Sequence, residues 1–172
     1  MRKKIIVRGP ALSMSGYGLQ TRFALRSLKA HEDRFEIYIL NTKWGQTGWI
    51  WEDNEERQWL DERIIATHHY ITNGGNFDIS LQVTIPQEWE KMAPYNVGYT
   101  AGTETTMMSP QWVEKSLLMD KIITTSEHTK YAFENSSYEA KNERTGEIVK
   151  DFKCTVPLEA VGYPVRTLEV DD

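Results

Sequence analysis

Lys4-Ile-Ile-Val-Arg8, then Gly9-Pro-Ala-Leu-Ser-Met-Ser-Gly16-Tyr-Gly18, then Phe35-Glu-Ile-Tyr-Ile-Leu-Asn41 decide how this chain folds. The first run is β-branched and short, as a buried strand is. The second is a Gly/Ser-rich turn. After it, Thr21, Ala24, Leu25 and Leu28 fall at i, i+3, i+4 and i+7, the stripe of an amphipathic helix. The third run is again rich in aromatic and β-branched residues. Strand, helix, strand in that order predicts a parallel pair joined by a right-handed crossover.

The rest of the chain repeats the alternation. Asp53 and the acidic residues after it predict a helix from there to about Thr67. Asn73-Gly74-Gly75-Asn76 is a turn, and Asp78–Val83 reads as a third strand stopped by Pro86. Asn96–Thr100 and Lys121–Thr125 predict two more strands. Between them Ser109-Pro110 opens a helix to about Met119, with serine as cap and proline at the first helical position. Ser126 can cap a helix from Glu127 to about Asn135. Residues 136–150 are polar without periodicity and read as a surface loop or insertion. Lys153–Val156 and Leu158–Val161 are weaker strand candidates split by Pro157, and Glu169-Val-Asp-Asp172 reads as a frayed acidic end. The expected architecture is one α/β domain over 1–172, a three-layer, Rossmann-like, doubly wound and mostly parallel sheet.

Composition narrows the classes. With 172 residues, 40% apolar and 26% charged, the chain resembles an ordinary globular domain. A core of that size needs no disulfide or metal staple. No apolar run approaches the ~20 residues of a spanning helix, and the start is too short in apolar residues for a signal peptide. A net charge of −5 argues against general nucleic-acid binding. The single Cys154 excludes an internal disulfide and a cysteine-based zinc site, and fits a reducing cytoplasm.

In doubly wound sheets ligands sit beyond the carboxyl ends of the strands. Three segments are expected there: residues 9–18, residues 101–108 and the turn at Ser126. Gly16-Tyr17-Gly18 precedes a helix whose N-terminal N–H groups suit an anion. It departs from the dinucleotide fingerprint, with Thr21 at the third glycine and Asn41 where an acidic residue would end the second strand. A nicotinamide-binding oxidoreductase is therefore the weaker alternative. Glu104, between Thr103 and Thr105, is either a solvated loop carboxylate or a group that bonds sugar hydroxyls or acts as a base. Ser126-Glu127 is a helix cap with an acidic first turn; no nucleophile elbow is present. His68-His69 are adjacent, unlike the i, i+4 spacing of helical metal ligands, so no metal site is expected; His31 and His128 are isolated. Trp59 and Trp89 are expected to pack. Trp44, Trp49 and Trp51 either cover the core or form a partner surface.

Read together, Ile5–Gly18, Asn96-Val-Gly-Tyr-Thr-Ala-Gly-Thr-Glu-Thr-Thr106 and Met119-Asp-Lys-Ile-Ile-Thr-Thr-Ser-Glu-His-Thr-Lys130 resemble group-1 glycosyltransferases of the GT-B fold, as found in marine bacteria and their phages. The resemblance implies an N-terminal, acceptor-side domain that holds a glycan or small-molecule acceptor. The nucleotide-sugar donor would be held mainly by a second domain, which has no counterpart here; Val161-Gly-Tyr-Pro-Val165 falls where that family's chain crosses over. It implies that Gly16 and Gly18 let donor phosphates and acceptor approach the first helix. Glu104 stands in the loop that often carries a histidine near the donor sugar, and Ser126 and Glu127 face the cleft. Retention in this family needs no strong enzymatic base, so Glu104 in place of histidine does not exclude catalysis. The isolated chain is expected to be inactive without a C-terminal glycosyltransferase domain, and to carry no intrinsic cofactor. A self-associating binding module, for instance a homodimer, is the alternative from another class. Gly18→Val, at a loop read as surface, is expected to disturb ligand approach more than folding.

Overall fold

The computed structural model describes residues 1–165; the acidic end expected at 169–172 lies outside them. In chain order the elements are β1 (Lys3–Gly9), α1 (Gly16–Lys29), β2 (Phe35–Asn41), α2 (Glu55–Thr72), β3 (Ile79–Val83), β4 (Tyr95–Thr100), α3 (Pro110–Ser116), β5 (Lys121–Thr124), α4 (Glu127–Asn135), β6 (Ser137–Lys141), β7 (Ile148–Lys153) and β8 (Leu158–Ala160). Six strands form one sheet in the order β2-β1-β3-β4-β5-β8. Every neighbouring pair is parallel. The fold is the α/β, Rossmann-like, doubly wound one expected. The chain steps outward from β1 to β2 and returns past β1 to β3. The topological switch point therefore lies between the carboxyl ends of β1 and β3.

The central strands form for the reason their sequence advertises. Ile5, Ile6 and Val7 are all buried because β1 is covered on both faces. One core lies on the face of Val7, Ile39, Leu81, Val83 and Tyr99, under Leu25 of α1 and Leu60 of α2. The opposite face carries Ile122 beneath Val113 of α3 and Phe133 of α4, with Trp89 fully buried among them. Gly98 makes room for that indole: a Cβ there would lie 2.5 Å from the Trp89 ring. The stripe predicted for α1 is the one that packs: Thr21 and Leu25 are buried, Ala24 and Leu28 half-buried.

α2 is capped by Asn54, which accepts from the Arg57 N–H at 2.9 Å, one residue after the expected Asp53. It also runs past Thr67 to Thr72, because its last turns have partners. The Thr67 hydroxyl accepts the Ile39 N–H of edge strand β2 at 2.7 Å, and Tyr70 packs on Tyr38 with ring centroids 4.6 Å apart. α3 stops at Ser116, short of Met119. The largest departure is residues 136–150. Instead of a loop they supply β6 and the first half of β7, an antiparallel hairpin. Only Tyr138 and Phe152 reach the core, so the hairpin's sequence carries almost no apolar alternation. The strand expected at Lys153–Val156 is displaced: β7 ends at Lys153, and the next strand starts after Pro157, whose carbonyl accepts the Ile122 N–H at 3.0 Å.

On the α1 side of the sheet, β4 and β5 lie at the floor of a trough of about 720 Å³. Leu81, Tyr99 and Ile123 form its base, Phe23 and Leu28 one wall, and the strap from Val161 to Pro164 another. Among the described residues no helix is long and apolar enough to cross a membrane.

Candidate functional site

The loop after β1 is held by its own chain before any ligand is considered. Residues 11–14 run antiparallel to residues 48–50: Met14 N–H donates to Gly48 O at 2.9 Å and Ile50 N–H to Leu12 O at 2.8 Å. Asn41 accepts the Leu12 N–H at 3.1 Å, so the residue at the end of β2 is engaged in fixing this loop. The Arg22 guanidinium enters from α1 and donates to Ala11 O and Ser13 O, both at 2.8 Å. Burial pushes the Arg22 pKa below the ordinary guanidinium value.

This packing corrects the reading of Gly18. The residue is buried, and a Cβ there would lie 2.0 Å from Ser13 O and 3.0 Å from Pro10 O. Gly18 is small because the loop crosses directly over it, so Gly18→Val damages folding first. Gly16 is exposed, with nothing within 4 Å of an added Cβ. Ser15 caps α1, accepting the Gly18 N–H at 3.1 Å.

Tyr17 carries the loop to the next strand. Its hydroxyl lies 2.8 Å from Thr100 Oγ1 and accepts the Ala101 N–H at 3.2 Å. Burial pushes the phenol pKa up, and the bonds from Thr100 and Ala101 oppose that rise. Its ring packs on Trp44, centroids 4.4 Å apart. The tryptophans left open by sequence thus divide: Trp44 is half-buried on Tyr17, whereas Trp49 and Trp51 are 52% and 81% exposed.

Beyond β4 the chain turns at Gly102, whose φ of 83° favours glycine. Thr129 also crowds it, with Cγ2 2.1 Å from where a Cβ would stand. The Thr129 hydroxyl donates to Ala101 O at 3.0 Å. Ser126 caps α4, accepting the Thr129 N–H at 3.1 Å. The loop and the helix start enclose a hollow of about 420 Å³ lined by Gly102, Thr103, Glu104, Ser126, His128 and Thr129. Thr103, Glu104 and Ser126 therefore lie together in this hollow, and Tyr17 ties the first loop to the same strand end.

Glu127 is exposed and not among those lining residues. Thr105 belongs to the adjoining hollow described below; its carbonyl lies 3.2 Å from His128 Nε2. With Nε2–H as donor, a neutral His128 ring keeps Nδ1 as an acceptor. His128, read from the sequence as isolated, lies in this hollow beside Glu104 and Ser126, and Thr129, which the sequence reading did not single out, lines it as well. The available signal was their place in the first turn of a helix that follows directly on a strand.

Chemically the hollow offers one exposed carboxylate, one imidazole and the hydroxyls of Thr103 and Ser126; the Thr129 hydroxyl is buried and bonded to Ala101 and Ser126. That set can donate to and accept from a polyol, and Glu104 can take a proton from a hydroxyl placed against it. Among the described residues no three His, Cys, Asp or Glu side chains are grouped to hold a metal ion. Compared with family models, curated proteins and solved structures, the chain matches none of them.

Proposed function

We propose that this domain is the acceptor-side half of a retaining, GT-B type glycosyltransferase. It binds a glycan or small-molecule acceptor, and transfer from a nucleotide-sugar occurs when a donor-binding domain completes the cleft. The observation that carries the reading is the gathering of the β1 loop (through Tyr17), the Gly102–Glu104 loop and the start of α4 at one end of a parallel sheet. Glu104, His128 and the hydroxyls of Thr103 and Ser126 are the groups that would hold acceptor hydroxyls there. Glu104 is the candidate for drawing a proton from the attacking oxygen.

Calorimetric titration of residues 1–172 with UDP- and GDP-sugars tests the division of labour. Binding no tighter than millimolar is expected, since the donor is assigned to the other domain. Micromolar affinity would overturn it.

The trough favours a second reading, a non-catalytic module that self-associates. It is apolar, and Val161 and Tyr163 beside it are 45% and 47% exposed, the kind of surface that marks an interface. Sedimentation over a range of concentrations separates the two, and a strict monomer removes this reading.

A further inference from the structure

A second hollow, of about 280 Å³, adjoins the first and shares Thr103 with it. Its lining comes from three elements: Thr103, Thr105 and Met107 from the loop, Trp112 from α3, and Tyr138 from the β6–β7 hairpin. We propose that this second hollow is a sugar subsite. It takes a neutral pyranose unit of a glycan whose neighbouring unit lies in the Glu104–His128 hollow. The proposal rests on the glycan-acceptor reading and names a feature of the acceptor, that it has at least two sugar units.

The lining explains the choice of ligand. It holds hydroxyls, two thioethers and two aromatic rings, and no charged side chain. A phosphate or carboxylate would find no cation there. A pyranose has what the walls complement: hydroxyls around the rim for threonine, and an apolar C–H face for an indole or phenol ring.

The walls are also fixed before a ligand arrives. The Tyr138 hydroxyl donates to Met108 O. Ser136 accepts the Met108 N–H at 2.7 Å and donates to Ala132 O at 2.6 Å. Thr105 donates to Met107 O at 2.7 Å. The hairpin is thus locked at its root against the loop it faces. A wall already in place costs a ligand less ordering.

The test is an array of immobilised mono- and oligosaccharides probed with the folded protein, with affinities then measured in solution for the glycans retained. The expected result is a disaccharide bound about tenfold more tightly than either component monosaccharide. Met107→Glu, at an exposed position, should cut that gain to about threefold or less. It should lower monosaccharide affinity by less than it lowers disaccharide affinity. Trp112→Phe, which keeps a ring in the core, serves as the second variant, with a melting curve for each. Glu104→Gln should weaken monosaccharide and disaccharide alike. If disaccharide gain is missing, or survives both variants, the subsite is overturned while monosaccharide binding still supports the acceptor reading. If no sugar of any length binds, both fall.

Discussion

Two glycines show how differently one residue type can be required. Gly18 meets backbone, Ser13 O at 2.0 Å from an added Cβ, and backbone cannot swing aside as a side chain can. Gly18→Ala should therefore destabilise the domain by about 1–3 kcal/mol or more, read from urea unfolding; an unchanged midpoint would contradict the packing. Gly102 combines a positive φ with a crowding neighbour, the buried and hydrogen-bonded side chain of Thr129. Gly102→Ala strains the turn at the hollow itself, so stability and ligand binding should fall together. Tyr17→Phe removes one oxygen, strands the Ala101 N–H, and takes one of two partners from the Thr100 hydroxyl, which still accepts the Gly102 N–H at 3.2 Å. An expected loss of about 1–3 kcal/mol follows from leaving a buried polar group unpaired, and thermal melting checks it. The glycine spacing at 16–18 was visible in the sequence, but its cause was not. A Gly-x-Gly pattern looks alike whether a ligand or the chain's own loop occupies the space, and here Pro10 and Ser13 occupy it.

Helix starts were the most legible elements. Ser109 and Ser126 each accept a backbone N–H at the helix start below them, because a short side-chain oxygen beside free N–H groups needs no tertiary context; Ser15 does the same for α1, hidden in the sequence within a Gly/Ser-rich turn. Ser126→Ala should cost about 1 kcal/mol and loosen the hollow that its helix closes. β1 was legible as a continuous apolar run, Ile5-Ile6-Val7, because it is buried on both faces; β3 and β4 were legible from β-branched and aromatic residues between turn signals, although they bury Ser80, Gln82 and Asn96. The β6–β7 hairpin was not, because solvent bathes most of it. Its register depends on Tyr138 and Phe152 finding a core that sequence does not display. Between elements, Arg26 of α1 and Glu56 of α2 form a two-bond ion pair, with Nη2 to Oε2 at 2.8 Å. The bond from Arg26 holds the Glu56 carboxyl below the ordinary value of 4.5. A depressed carboxyl pKa stabilises the fold at neutral pH, and that stabilisation fades as pH falls through the folded value. Glu56→Gln should thus cost about 0.2–1 kcal/mol at pH 7, a range set by partial exposure. The gap between the two proteins' melting temperatures should shrink toward zero below the ordinary carboxyl range; a gap that persists in acid would contradict the pairing.

At the scale of the whole molecule, alternation of strand and helix was enough to give the parallel sheet, while the trough over β4 and β5 was invisible. It arises from which face α1 leaves uncovered, a matter of crossover placement that no local pattern encodes. If copies associate through it, Leu28→Glu on its wall should convert the associated species to monomer in sedimentation, with the far-ultraviolet spectrum retained. The hydroxyl of Thr67 has a consequence at this scale as well. By taking the Ile39 N–H at the middle of β2, it leaves a would-be added strand one donor short where α2 packs against that edge. Within the six-stranded sheet, strand addition is then directed to the short β8 margin. Two molecules joined margin to margin through β8 would each present a blocked β2 to the next. Misassembly by this route should stop at pairs and should not grow into fibres.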